Sequence, residues 1–202
     1  RNILYADTHT GWYKSTSGGD EWVEIIPTGM KDEKEYPRRL ISKKIDPVDP
    51  DTLYISFGPH PLAPTVIPQI SALRNLFTLG SLLKSTDGGQ SWIALKTDFV
   101  GYAIDSYLYA EDLSLLEIDP RNPSIMYVGT SSSSSSTPSE FFKTTDGGTT
   151  WESVVVTPPG MKYTISHILV NPLDSSILYT NTSTAIYKST DSGKTWSIIV
   201  GS

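Results

Sequence analysis

Apolar residues along this chain fall in short runs set between turn-forming residues. Ile3-Leu4-Tyr5-Ala6, Trp92-Ile93-Ala94-Leu95, Ile125-Met126-Tyr127-Val128, Ile177-Leu178-Tyr179-Thr180 and Trp196-Ser197-Ile198-Ile199-Val200 are rich in β-branched and aromatic side chains. That is the composition of a strand packed on a pleated surface. Asp-Gly-Gly between two such runs predicts a hairpin turn, because aspartate accepts hydrogen bonds from turn amides and glycine adopts positive φ without a steric penalty. The tryptophan that follows is expected to enter the next strand as a large apolar anchor. Asp-Pro and Asn-Pro mark a second kind of turn.

Both turns repeat. Tyr13–Trp22, Leu83–Trp92, Phe142–Trp151 and Tyr187–Trp196 align as four copies of one segment, and the step from its lysine (Lys14, Lys84, Lys143, Lys188) to its tryptophan is 8 each time. A second segment runs from Asp-Pro or Asn-Pro to Leu-Tyr or Met-Tyr, with Pro47, Pro120 and Pro172 each 7 residues before Tyr54, Tyr127 and Tyr179. The intervening distances vary: 9, 30, 16 and 9 residues from tyrosine to lysine, and 25, 28 and 21 from tryptophan to proline. Fixed steps predict tight turns between strands in register, and variable steps predict surface loops. Each unit reads as four strands: an inner strand ending at Asp-Pro, a Leu-Tyr strand, a Tyr-Lys-Ser strand and a tryptophan strand. The expected fold is all-β, a propeller with four four-stranded blades, the first lacking its inner strand. The blades are expected at about 1–37, 38–111, 112–162 and 163–202.

The pattern Ser/Thr-x-Asp-x-Gly-x-x-Trp resembles the Asp-box, or BNR, repeat of sialidase-like propellers. The added Asp-Pro-x-x-Pro-x-x-Leu-Tyr phrase resembles the repeats of xyloglucanase-type glycoside hydrolases, sortilin-like receptors and a photosystem II assembly factor. The resemblance covers nearly the whole chain and implies the fold, but it mixes enzymes, receptors and assembly factors and does not choose a function. It also implies more blades than four. Residues 1–202 are therefore expected to be part of a longer propeller, with the missing inner strand supplied by the rest of the chain or by another subunit. Turn geometry accounts for Ser15 and Trp22, for Ser85, Asp87, Gly89 and Trp92, for Thr144, Asp146, Gly148 and Trp151, and for Ser189, Asp191, Gly193 and Trp196, so these are assigned a structural role. The first copy departs from the pattern, with Ser17 where the others have aspartate.

Composition narrows the chemistry. Sixteen Lys+Arg against 22 Asp+Glu give a net charge of −6, which argues against broad nucleic-acid binding and against a polybasic membrane patch. No apolar run approaches the roughly 20 residues of a spanning helix. The absence of cysteine removes disulfides, thiolate nucleophiles and Cys-ligated metals, and the three histidines do not make a metal site; no cofactor is implied. Secretion or display at the cell surface is expected from the resemblance, the Ser/Thr-rich composition and the lack of thiols.

In an up-and-down blade the fixed turns lie on one rim and the variable connections on the other, so a ligand face is expected from segments 26–43, 58–80, 96–113, 131–140 and 156–167. Tyr36, Arg38 and Arg39 lie in a charge-mixed stretch leading into an inner strand, where a sialidase-like pocket would carry carboxylate-binding arginine. The proline-rich insertion around His60 continues into Leu73, Leu76, Phe77 and Leu79, a candidate partner contact. Tyr102, Asp105, Tyr107, Glu111 and Asp112 combine aromatic platforms with carboxylates, which suits sugar binding or hydrolysis. Each has a plainer alternative as a solvated or self-packed loop. Ser131–Ser136 reads as a loop tip, and Asn181-Thr-Ser matches a glycosylation acceptor.

Two functions compete. A glycoside hydrolase would use loop carboxylates, but where xyloglucanase-type relatives carry an aspartate after the first Leu-Tyr strand this chain has His9, with Asp7 two residues earlier. A sialidase would need three pocket arginines, and Arg1, Arg38, Arg39, Arg74 and Arg121 offer few candidates, Arg121 sitting in a fixed turn. A non-catalytic scaffold recognising a protein or glycan through one face needs only the frame and the loops, and it is the preferred reading.

Overall fold

The computed structural model describes residues 2–8, 11–26, 40–57, 81–95, 112–131, 141–154, 165–182 and 184–201. Their regular structure is entirely strand, arranged as four antiparallel meanders. The first sheet has the order β1 (Leu4–Thr8), β2 (Gly11–Ser15), β3 (Val23–Glu24). The second comprises β4 (Leu40–Ile45), β5 (Leu53–Phe57), β6 (Ser81–Ser85) and β7 (Ile93–Ala94), and the third β8 (Asp112–Ile118), β9 (Met126–Ser131), β10 (Phe141–Thr144) and β11 (Glu152–Val154). The fourth comprises β12 (His167–Val170), β13 (Leu178–Asn181), β14 (Ala185–Ser189) and β15 (Ser197–Gly201). Among the described residues β1 pairs with β2 alone, so the first sheet has three strands and the others four.

The repeat spacing sets the register. Each tyrosine of the Leu-Tyr strand stands opposite the lysine of the next strand: Tyr5 opposite Lys14, Tyr54 opposite Lys84, Tyr127 opposite Lys143 and Tyr179 opposite Lys188. All four ammonium groups lie over the paired ring, 5.4 to 5.8 Å from its centroid. Such a contact contributes about 0.5–1 kcal/mol at a wet site and more where water is excluded.

The core lies between sheets rather than within one. Trp12 and Ile25 of the first sheet pack with Leu53, Ile55 and Leu83 of the second. Tyr54, Leu82 and Leu95 pack with Leu116, Ile118, Met126, Val128 and Phe142 of the third. Tyr127 and Phe141 pack with Ile165, Ile168, Val170 and Leu178 of the fourth. The two middle sheets thus bury residues on both faces, one against the blade before and one against the blade after, while the first and fourth each pack one face against a neighbour among the described residues. Burial of each large side chain is worth about 1.5–3 kcal/mol.

Polar ties cross the same boundaries. Lys14 pairs with Asp51 at 2.6 Å, the Tyr5 hydroxyl donates to the Pro50 carbonyl at 2.6 Å, and Lys44 pairs with Glu117 at 2.6 Å. Burial works to lower the Lys14 pKa, but Asp51 and Tyr5 together hold it above the usual lysine value. Burial, with Asp46 nearby, pushes the Tyr54 phenol up to about 12; burial, with Asp119 and Glu152 nearby, does the same for Tyr127.

The tryptophans depart from expectation. Trp22, Trp92, Trp151 and Trp196 do not enter the outer strands; each is the last residue before one. The reason is a hydrogen bond. The indole N–H of Trp22, Trp92 and Trp196 donates to the carbonyl of Gly19, Gly89 and Gly193 at 2.9, 3.1 and 3.0 Å, so the ring closes the turn before the chain becomes extended. Trp92, Trp151 and Trp196 still anchor apolar clusters, half-buried at their edges, while Trp22 is exposed.

Candidate functional site

Two rims offer themselves. The first carries both fixed turns of each blade. In the Asp-box turn the hydroxyl of Ser85, Thr144 or Ser189 accepts from the amide of Gly89, Gly148 or Gly193, at 2.8, 3.0 and 2.9 Å, and donates to the carboxylate of Asp87, Asp146 or Asp191 at 2.8, 2.7 and 2.8 Å. The other end of the turn closes on the same carboxylate: Ser91, Thr150 and Thr195 donate through both backbone amide and side-chain hydroxyl. These hydrogen bonds, led by that hydroxyl, hold Asp87 and Asp146 far below the ordinary carboxylate value and Asp191 at about 2. A carboxylate so held is a hydrogen-bond acceptor and a poor proton donor at neutral pH.

The Asp-Pro turn is built on the same principle. Asp46 accepts from the amides of Val48 and Asp49, Asp119 from those of Arg121 and Asn122, and Asn171 from that of Leu173. A backbone bond then joins the two turns within each blade: Gly88 to Asp51, Gly147 to Ser124, Ser192 to Ser176, and Gly18 to Asn2 in the first sheet. Arg121 links neighbouring blades by donating to the Leu173 carbonyl at 2.8 Å, so it serves the turn rim.

Between the first two blades this rim opens into a groove of about 720 Å³ lined by Lys14, Glu21, Glu24, Gln90, Trp92 and neighbours. No sequence motif announces it, because it arises where β3 of one blade faces the Asp-box turn of the next. Among the described residues no cluster of three or more His, Asp or Glu is placed to hold a metal ion, and no helix is long and apolar enough to cross a membrane.

The opposite rim carries the ends of β3, β5, β7, β9 and β11 and the starts of β4, β6, β8, β10 and β12, so the variable connections all leave the frame on that side. Tyr36, Arg38, Arg39, His60, Tyr102, Asp105, Tyr107 and Glu111 lie in those connections, outside the described residues. Asp112 is the first residue of β8, opposite Ser131. Strand pairing also claims the edges of the expected loops: Leu40–Lys43 belong to β4, Leu113 to β8, Ser131 to β9 and His167 to β12. Asp7, the carboxylate nearest the position of the xyloglucanase-type acid, lies in β1 with the Lys43 ammonium 2.5 Å from it.

Radial meanders closed by Ser/Thr–Asp–Gly turns define an Asp-box, or BNR-type, β-propeller. Within that class the chain belongs to the family described as Photosynthesis system II assembly factor YCF48, which matches residues 74–202. It is also 28% identical over 163 residues to the xyloglucanase Xgh74A of Acetivibrio thermocellus, a match covering 79% of this chain and 17% of that enzyme. Among solved structures the GH74 xyloglucanase of Xanthomonas campestris superposes with a TM-score of 0.64 at 17% identity, covering the whole of this chain and 29% of that one. YCF48 bound to D1 peptide superposes with a TM-score of 0.51 at 18% identity, over 80% of this chain and 39% of that one. The chain thus spans between about a sixth and two-fifths of the length of these relatives.

Proposed function

We propose that this chain is a non-catalytic propeller that recognises a protein ligand through the connections on the rim opposite its Asp-box turns. The observation that carries this reading is the family match over residues 74–202, because that family is described as an assembly factor rather than a hydrolase. A YCF48 structure holds a D1 peptide, and peptide recognition is the activity we transfer to this chain. The frame supports the assignment physically. The Asp-box aspartates are engaged in turn hydrogen bonds, so ligand contact falls to the loop residues. Tyr36, Arg38, Arg39 and His60 would engage acidic or C-terminal groups of a peptide, and Tyr102, Asp105, Tyr107, Glu111 and Asp112 its apolar and basic side chains. Secretion or surface display is a separate proposal, supported by the likeness to xyloglucanases rather than by the family match, and is tested by fractionating the native host.

A second reading is favoured by the 28% identity to a xyloglucanase: a portion of a glycoside hydrolase acting through loop carboxylates. Hydrolysis needs two carboxyl groups roughly 5–10 Å apart across a cleft. Asp7 is a weak candidate, since the Lys43 ammonium already pairs with it. One experiment separates the two readings. The protein is screened against a peptide array and, in parallel, incubated with xyloglucan while reducing ends are counted. Peptide binding that is lost in Arg38→Ala/Arg39→Ala, with no sugar release, is the expected result. Xyloglucan cleavage abolished by Asp105→Asn or Glu111→Gln would establish the hydrolase instead.

A further inference from the structure

The first Asp-box turn breaks a rule that the other three keep, and it does so beside the groove. In the second, third and fourth turns the residue just before the tryptophan is Ser91, Thr150 or Thr195, and its hydroxyl donates to the carboxylate of Asp87, Asp146 or Asp191. The first turn has Ser17 in place of that aspartate and Glu21 in place of that hydroxyl residue. A carboxylate accepts hydrogen bonds but does not donate them, so Glu21 cannot tie the turn from within as Ser91 does. Its backbone amide still serves the turn, donating to the Ser17 hydroxyl at 2.8 Å. The acid of this repeat has thus moved from the inside of the turn to its exposed surface. Among the described residues no hydrogen bond or ion pair engages the Glu21 side chain, which lines the groove between the first two blades.

The remaining walls suit the stem of a long cationic side chain. Val23 is 68% exposed and stands opposite Lys14 in the pairing of β2 with β3. From the second blade Trp92 is half-buried and fixed in orientation: its N–H lies 3.1 Å from the carbonyls of both Gly89 and Ile25, and its ring centroid stands 6.4 Å from that of Trp12. Lys14 is the one cation among the described lining residues, and Asp51 already takes its charge at 2.6 Å. The groove therefore offers an apolar, aromatic surface beside an uncompensated negative charge. Lysine and arginine match both parts, because their methylenes cover apolar surface while the charged head reaches an anion, and a tryptophan ring attracts a cation. A volume of about 720 Å³ exceeds that of one side chain and leaves room for the backbone that carries it.

We propose that this groove takes a lysine or arginine side chain presented by a partner protein, its cationic head at Glu21 and its stem along Val23 and Trp92. The site lies on the Asp-box rim, formed by two adjacent blades, and does not rest on the peptide recognition assigned to the opposite rim. The occupant follows from charge complementarity: the first repeat gives up the carboxylate that ties its neighbours' turns and carries one where the groove is lined.

Nuclear magnetic resonance of the isotope-labelled 202-residue protein tests this. It is titrated with the peptide acetyl-Gly-Arg-Gly-amide and with its lysine and glutamine counterparts, and the Trp92 indole N–H is followed, its resonance assigned by its loss in Trp92→Phe. The arginine and lysine peptides are expected to shift that resonance and the glutamine peptide to leave it in place. Glu21→Gln weakens the binding roughly two- to fivefold, as expected for an exposed charge pair. Val23→Lys places a cation of the chain itself in the groove and abolishes the binding, with unchanged resonances in the third and fourth blades reporting that the fold is kept. No indole shift with either cationic peptide, an equal shift with the glutamine peptide, undiminished binding in Glu21→Gln or Val23→Lys, or a shift produced by a neutral disaccharide such as sucrose and by none of the peptides overturns the proposal.

Discussion

The first and second Asp-box turns, Ser15–Trp22 and Ser85–Trp92, have the same length and follow the same course, yet they are held differently. In both, the first serine hydroxyl accepts from a glycine amide four residues on, at 2.9 and 2.8 Å. In the second, the Asp87 carboxylate gathers the Ser85 hydroxyl and both donors of Ser91. In the first, Ser17 supplies one hydroxyl, which accepts from the Glu21 amide at 2.8 Å and meets Ser15 at 3.3 Å. The Trp92 indole is half-buried, its N–H within reach of the carbonyls of Gly89 and of Ile25 in the preceding blade; Trp22 is 41% exposed. The serine–glycine bond and the two glycines are therefore enough to shape the turn. The carboxylate reinforces it, and the neighbouring blade buries it.

The sharpest way to break this comparison is at the second glycine. Gly19 and Gly89 both have positive φ, 112° and 93°, so alanine at either place costs about 1–2 kcal/mol in backbone strain. A methyl group on Gly89 would also lie 2.5 Å from the Ile25 Cβ, whereas on Gly19 its nearest neighbour is Leu4 at 3.6 Å, an ordinary contact. Gly89→Ala should therefore lose about 3 kcal/mol or more, the overpacking adding to the strain. Gly19→Ala should lose only the strain. Urea unfolding of the two variants measures the difference, and equal losses would mean that the blade contact contributes nothing.

Next in size is the carboxylate. Asp87→Ala strips acceptors from three donors, Ser17→Ala from fewer, and the melting temperature should fall further in the first variant. These aspartates also fix the response to acid. Their folded pKa values lie below the ordinary 3.8, with Asp191 at about 2, so the stability they contribute is present above 3.8 and is lost as the pH falls toward and through the folded values. Thermal melts from pH 5 downward should show that loss, and Asp87→Asn should flatten part of it. Ser17→Asp sharpens the comparison from the other side: the first turn gains the missing acceptor, the melting temperature rises at neutral pH, and the gain disappears in acid.

Much of this frame was legible in the chain itself. Constant steps of 8 and 7 residues predicted turns whose register cannot slip, and the strands pair accordingly. The tryptophans stand one residue outside the expected strands because a large aromatic residue after Asp-Gly-Gly reads equally as the first residue of a strand or the last of a turn, and at Trp22, Trp92 and Trp196 the indole bond to the glycine carbonyl favours the turn. The groove beside Trp92 was invisible because its two walls come from different repeats. The loop residues from Tyr36 to Glu111 follow from residue type and topology alone, because connections of variable length have no period from which a geometry could be read. Asp112, the one candidate of that set among the described residues, falls in a strand, where the pairing of β8 with β9 extends to Ser131.

The smallest effect is expected in the fourth turn, which keeps the aspartate but replaces the first glycine. Ser192 has φ 61°, close to the 72° of Gly88 and Gly147 in the same place. Serine there carries about 1–2 kcal/mol of left-handed strain, while glycine would add about 0.4–1 kcal/mol of chain entropy to the unfolded state. The two terms oppose each other, so Ser192→Gly should raise stability by about 0 to 1.6 kcal/mol, measurable as a small increase in the urea midpoint at constant slope. The site tolerates a side chain because its amide bonds to Ser176 and its carbonyl accepts from Lys143 of the preceding blade, neither of which a Cβ disturbs. At Gly88 the same atom would meet the Lys14 ammonium, the far end of a flexible side chain, so a larger residue there has to displace Lys14 from its pairing with Asp51.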